Sequence, residues 1–138
     1  MASTVRKVDY FAMSVPNRRG EAARVLDALR EAGVNLLAFT GFPAGRGAAQ
    51  IDFVPENTAA FTKAARRLKL KLRARKSGFL VQGDDRAGAL GRVLDKLAAA
   101  RINVTAVDGV AAGKGRFGAI LWVKAKDVAK ARKALGAR

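Results

Sequence analysis

The sequence carries an internal repeat. That restricts folding more than any composition does, because both copies must suit one architecture. Displacing the chain by 68 residues aligns Asn17–Gly47 with Asp85–Gly115, without a gap and with 14 identities in 31 positions. The identities include Arg18/Arg86, Gly20/Gly88, Arg24/Arg92, Val25/Val93, Leu26/Leu94, Leu29/Leu97, Asn35/Asn103 and Gly47/Gly115. Two copies of roughly 65 residues each fit the 138-residue chain, a repeat length in which one unit is a small supersecondary module.

Each copy shows the same run of signals. Val8–Val15 (VDYFAMSV) and Phe79–Gln82 (FLVQ) are apolar and β-rich, so both predict strands. Polar, glycine-containing turns follow, Pro16–Gly20 and Gly83–Gly88. Ala22, Val25, Leu26 and Leu29 then recur at helical spacing, matched by Leu90, Val93, Leu94 and Leu97. Gly33 stops the first helix as glycine commonly does, whereas Arg101 stands at the matching place in the second. Second strands are predicted over Val34–Phe42 and Ile102–Val110, and Gly-rich hairpin turns over Pro43–Gly47 and Ala111–Gly115. Third strands follow over Ala49–Val54 and Phe117–Val123, and second helices from Asn57 and Asp127, both residues suited to N-caps. Lys69–Lys76 (KLKLRARK) alternates basic and apolar residues and predicts a fourth strand with one basic face. No such segment follows Leu135. The expected fold is therefore α+β: two ferredoxin-like βαββαβ plaits in tandem, helices on one face of antiparallel sheets. The first copy spans 5–76 and the second 77–138, the second lacking its last strand.

The residues that carry this pattern resemble the ACT family of small-molecule sensing modules. The second copy has Asp85-Arg86-Ala87-Gly88-Ala89-Leu90, then Ala100-Arg101-Ile102-Asn103-Val104. The first has Asn17-Arg18-Arg19-Gly20, then Ala32-Gly33-Val34-Asn35-Leu36. The pair is similar to stand-alone tandem ACT proteins and covers nearly the whole chain. The resemblance implies two quasi-equivalent ligand sites, one module's turn facing the other's second strand. One would use Asn17, Arg18, Arg19 and Gly20 with Asn103. The other would use Asp85, Arg86, Ala87 and Gly88 with Asn35. It implies an amino acid as ligand, a regulatory role without catalysis, and no cofactor.

The chemistry of these residue types is consistent with that role. A turn glycine opening a helix gives a ligand carboxylate access to free N–H groups, and an Asn amide both donates and accepts. Each residue also has a purely structural use. Asn17 and Asp85 could cap helices, the glycines could let helix approach sheet, Asn35 and Asn103 could satisfy turn backbone groups, and Arg18 and Arg86 could be solvated surface residues.

Composition narrows the other classes. The chain has no cysteine and no histidine, which excludes disulfides, thiolate nucleophiles, Cys/His zinc sites and His-based triads. A site built from carboxylates alone stays open. Gly113-Lys114-Gly115 is too short for a P-loop, and Asp84-Asp85 are adjacent in a turn, so an enzyme is not expected. No apolar run approaches a membrane span and the N-terminus shows no apolar signal core, so we expect a cytoplasmic protein without membrane contact.

The net charge is +16, and it is uneven: residues 1–70 hold 11 basic and 6 acidic side chains, residues 71–138 hold 16 and 5. No acid occurs from Asn57 to Gly83, where Lys63, Arg66, Arg67, Lys69, Lys71, Arg73, Arg75 and Lys76 follow one another. That surface keeps a nucleic-acid partner as the alternative function, bound through phosphate contacts, since no aromatic RNA-recognition signature is present. An open strand edge in the second copy also predicts a homodimer, and a sensor without an output domain needs a protein partner to report to.

Overall fold

The structure, a computed structural model, describes residues 3–138, which form six strands and four helices. They fall into two compact units, Asp9–Lys76 and a second made of the residues up to Val8 together with Ser77–Arg138.

The Asp9–Lys76 unit contains most of β1 (Thr4–Pro16), then α1 (Glu21–Glu31), β2 (Leu36–Gly45), β3 (Ala48–Pro55) and α2 (Thr58–Arg67). Its strands lie in the order β2-β3-β1 and pair antiparallel, with Phe11 opposite Phe53 and Phe39 opposite Phe53. The period of two sends Phe11, Met13, Val15, Ile51 and Phe53 into one core with Val25 and Leu29 of α1 and Phe61 of α2. Phe61 packs its ring 5.2 Å from Phe11 and 5.3 Å from Phe53. Asn57 caps α2, its side-chain oxygen accepting from Ala60 N at 2.9 Å.

The expected strand over Lys69–Lys76 does not form. Residues 71–75 run without strand pairing, and the next strand begins at Lys76. Lys69 takes a left-handed backbone (φ +58°) and Leu72 N turns back to Leu70 O, so a ladder with β1 is reduced to Arg73 N donating to Ala12 O at 2.9 Å. The alternation survives: Leu70 and Leu72 pack on the core, while Lys71, Arg73 and Arg75 stay exposed.

In the discontinuous unit, β4 (Lys76–Asp84) is followed by α3 (Ala89–Ala99), β5 (Val104–Gly113), β6 (Arg116–Val123), a single 3-10 turn and α4 (Val128–Leu135). β4 and β5 both pair antiparallel with β6. Phe79, Val81, Phe117, Ala119 and Leu121 meet Val93 and Leu97 of α3 and Ala131 and Leu135 of α4 in the core. Val93 and Leu97 are the aligned counterparts of Val25 and Leu29, so the two copies build their cores from matching helix positions. Asp127 precedes α4 without a side-chain cap.

Among the described residues no strand follows α4, but the edge expected to stay open there is occupied. The first half of β1, through Val8, lies next to β4 and belongs to this unit. Thr4 Oγ1 donates to Gln82 O at 3.4 Å, and Val5 joins the core. Gly83 makes this approach sterically feasible: a Cβ there would sit 2.6 Å from Ser3 Oγ and 2.8 Å from Ser3 Cα. On its other side the half-strand bonds to Arg138, with Lys7 N donating to Arg138 O (2.9 Å) and Arg138 N to Val5 O (3.2 Å). The long apolar run that predicts β1 thus serves both units. The edge argument for a dimer falls with this observation.

Candidate functional site

Both turns named by the repeat are built alike. Each is tied to the hairpin of its own unit, with Asn17 N donating to Gly47 O (2.9 Å) and Asp85 N to Gly115 O (2.8 Å). Gly20 (φ +84°) and Gly88 (φ +75°) are the N-cap residues of α1 and α3, both left-handed, a conformation that glycine takes without the penalty of a Cβ. Neither helix has a side-chain cap. Asn17 and Asp85 therefore do not cap these helices, and the turn glycines are required by backbone conformation.

The surroundings of the two turns differ. In the first, Glu21 pairs with both Arg18 (3.3 Å) and Arg24 (3.0 Å). Arg18 is already engaged, Arg19 is exposed, and Asn35 Nδ2 donates to Glu56 Oε2 at 3.4 Å while Glu56 N donates to Asn35 O at 3.0 Å. In the second, Ala89 stands where Glu21 does, and Lys124 where Glu56 does. Arg86, Ala87 and Asn103 are exposed, and among the described residues they form none of the corresponding carboxylate contacts.

A cleft of about 330 Å³ lies at the second turn. Asp85, Arg86, Gly88 and Leu90 line one side, and Gly109, Val110 and Phe117 of the β5–β6 hairpin line the other. Gly109 lets Leu90 pack close against β5, since a Cβ there would meet Leu90 Cδ2 at 3.0 Å. The structure thus brings Asp85, Arg86 and Gly88 together around one concavity, and Asn103 does not line it.

One polar feature that the sequence did not single out is Asp52. It is buried on the sheet face away from the helices and accepts from Thr40 Oγ1 and Gln50 Nε2, each at 3.0 Å. Gln50 Oε1 in turn accepts from Arg73 Nη1 at 3.0 Å. Burial pushes the Tyr10 phenol above its ordinary pKa, and the Asp52 charge pushes it further the same way. The strand alternation could have flagged Asp52 only as solvent-facing. Among the described residues, no three carboxylates gather as a metal site, and no helix is long and apolar enough to cross a membrane.

This duplicated arrangement of strand, glycine turn, helix and hairpin is a tandem ACT-like fold. Comparison with solved structures bears on the same point. The chain superposes on protein BT0572 from Bacteroides thetaiotaomicron with a TM-score of 0.77 at 16% identity, covering 97% of this chain and 88% of that one. It is also similar to the regulatory subunit of aspartate kinase from Thermus thermophilus in its ligand-free form (TM-score 0.65, 16% identity, 99% and 95% covered). The corresponding subunit from Thermus flavus gives a TM-score of 0.62 at 16% identity, with the same coverage. No family model matches the sequence. No curated protein matches it either.

Proposed function

We propose that the protein is a non-catalytic regulatory module that binds a small molecule, an amino acid, at its glycine turns. The observation that carries this is the pair of left-handed glycines, Gly20 and Gly88, each opening a helix without a side-chain cap and each held by its own hairpin. Such a helix start offers backbone N–H groups to a carboxylate. The ligand contacts are Asn17, Arg18, Arg19 and Gly20 in one copy and Asp85, Arg86, Ala87 and Gly88 in the other, with the Asn35 and Asn103 amides as further polar partners. The second turn, whose Arg86 is in no ion pair among the described residues and which borders a cleft, is the stronger site. The likeness to regulatory subunits of aspartate kinase supports the regulatory reading.

The test is a thermal-shift screen of the twenty amino acids in about 0.3 M salt, which screens nonspecific ion pairing. A ligand at 100 times its Kd stabilises by about 2.7 kcal/mol. The expected result is one clear hit that Gly88→Val abolishes, because the left-handed cap is lost, and that Arg86→Gln, at the same cleft, weakens. Absence of any hit from a folded sample refutes the proposal.

We also propose that the chain forms a homodimer through the outer edge of β5. That strand ends the order β1-β4-β6-β5 in its unit and is exposed over nearly its full length, with Val110 69% exposed. Light scattering showing a monomer for the wild type refutes it. A change to monomer in Val110→Lys alone supports it.

The alternative, phosphate-driven binding of nucleic acid, rests on the segment from Lys63 to Lys76, whose eight cationic side chains are all exposed. Only Phe42 of the seven Phe residues is exposed, which leaves little for base stacking. Affinity for a duplex would then fall steeply with salt.

A further inference from the structure

The discontinuous unit holds a second cavity, of about 340 Å³, beside the turn cleft, with which it shares Arg86 and Ala89 and from which it extends along α3 to Arg92, Val93 and Lys96. Val5, Ala89, Val93 and Leu135 give it an apolar floor. Arg86, Arg92 and Lys96 reach it from the turn and from successive turns of α3. Asp84 also lines it, but that carboxylate pairs with Arg116 at 3.0 Å.

The repeat supplies an internal control for what this place does. In the other copy, Arg18 and Arg24 occupy the positions of Arg86 and Arg92, and the Glu21 carboxylate bridges them, Oε2 to Arg18 (3.3 Å) and Oε1 to Arg24 (3.0 Å). At the aligned position the second copy has Ala89, so the two arginines remain while their shared carboxylate is missing. No ion pair involving Arg86, Arg92 or Lys96 occurs among the described residues, although each of the three is exposed and charged. A third cation, Lys96, stands where the first copy has Ala28. It lies four residues beyond Arg92, about 6 Å further along the helix axis.

We infer that this cavity binds a small dicarboxylate. One carboxylate takes the place of the missing Glu21 group and is bridged by Arg86 and Arg92. The second reaches Lys96 one turn on, and the carbon chain between them lies on Val93 and Leu135. A planar carboxylate suits arginine pairing, and two negative charges suit three cations, one carboxylate of the wall being held by Arg116.

Isothermal titration of the full chain with succinate in about 50 mM salt tests this, with acetate and inorganic phosphate as comparison probes. One succinate per chain is expected, tighter than either comparison anion. Arg92→Gln and Lys96→Gln should each weaken it about tenfold or more, the scale of a lost charge-assisted bond. Ala89→Glu restores the internal carboxylate of the first copy and should abolish binding, while circular dichroism shows an unchanged helix content. Arg92 and Lys96 are outside the turn cleft, so their variants separate this site from the amino-acid site. No succinate binding, equal binding of acetate or phosphate, or full succinate affinity in Ala89→Glu or in both glutamine variants overturns the assignment.

Discussion

The two helices that open the repeats end in the same motif with different residues, which permits a stability prediction with opposite signs. After α1, Gly33 N donates to Arg30 O (2.9 Å) and Val34 N to Leu29 O (3.0 Å). After α3, Arg101 N donates to Ala98 O (3.0 Å) and Ile102 N to Leu97 O (2.9 Å). Both are Schellman-type ends that need a left-handed residue, supplied by Gly33 at φ +76° and Arg101 at φ +60°. A side chain in that conformation costs about 1–2 kcal/mol, and glycine's extra freedom in the unfolded chain takes back about 0.5–1 kcal/mol. Arg101→Gly should therefore stabilise by about 0.5–1 kcal/mol. Gly33→Ala should destabilise by about the same amount, and by no more, because nothing lies within 4 Å of an added Cβ. Urea denaturation reads both as shifts of the midpoint at constant slope. A lower midpoint for Arg101→Gly, or shifts of one sign in both variants, refutes the reasoning.

Gly83→Ala should cost about 1–3 kcal/mol, since its Cβ meets the Ser3 backbone and not merely a flexible side-chain end. An unchanged urea midpoint would mean that the first half of β1 does not lie beside β4. The chain's single tyrosine makes a clean pH probe: absorbance at high pH should give Tyr10 a midpoint above 10.0 when folded, returning to the ordinary value in denaturant. Because the folded pKa is the raised one, the Tyr10 contribution to stability is whole below the unfolded pKa and is lost as pH climbs through the folded one. A folded midpoint at or below the denatured one contradicts this. Asp52→Ala should destabilise by about 2–4 kcal/mol because Thr40 and Gln50 lose a buried charged acceptor, and pairing it with Thr40→Val should recover part of that loss. Strict additivity of the two substitutions in denaturation would show that the bond contributes nothing.

The cores and helices were legible because their signals are local. Val25 and Leu29, and Val93 and Leu97, sit at helical spacing, and each pair is buried. Asn57 announces its helix in the same way. What escaped depends on distant pairings. Lys69–Lys76 has the alternation of a strand, and Leu70 and Leu72 do face inward. A strand also needs a ladder, which the left-handed Lys69 and the Leu70–Leu72 bond prevent. The shared use of β1 was equally hidden: thirteen residues suit one long strand, and nothing in them says that two units divide it.

The candidate sites divide along the same line. The turn glycines were legible, since a positive φ in a tight turn favours glycine over residues that carry a Cβ. The difference between the copies lay in the sequence as Glu21 against Ala89, but alignment ranks identities and passes over such a position. Its meaning depends on side-chain geometry: only once Glu21 is seen to hold Arg18 and Arg24 does its replacement leave two cations without a carboxylate. A duplicated fold can therefore be recognised from what its copies share, while its binding chemistry is to be sought where one copy neutralises itself and the other does not.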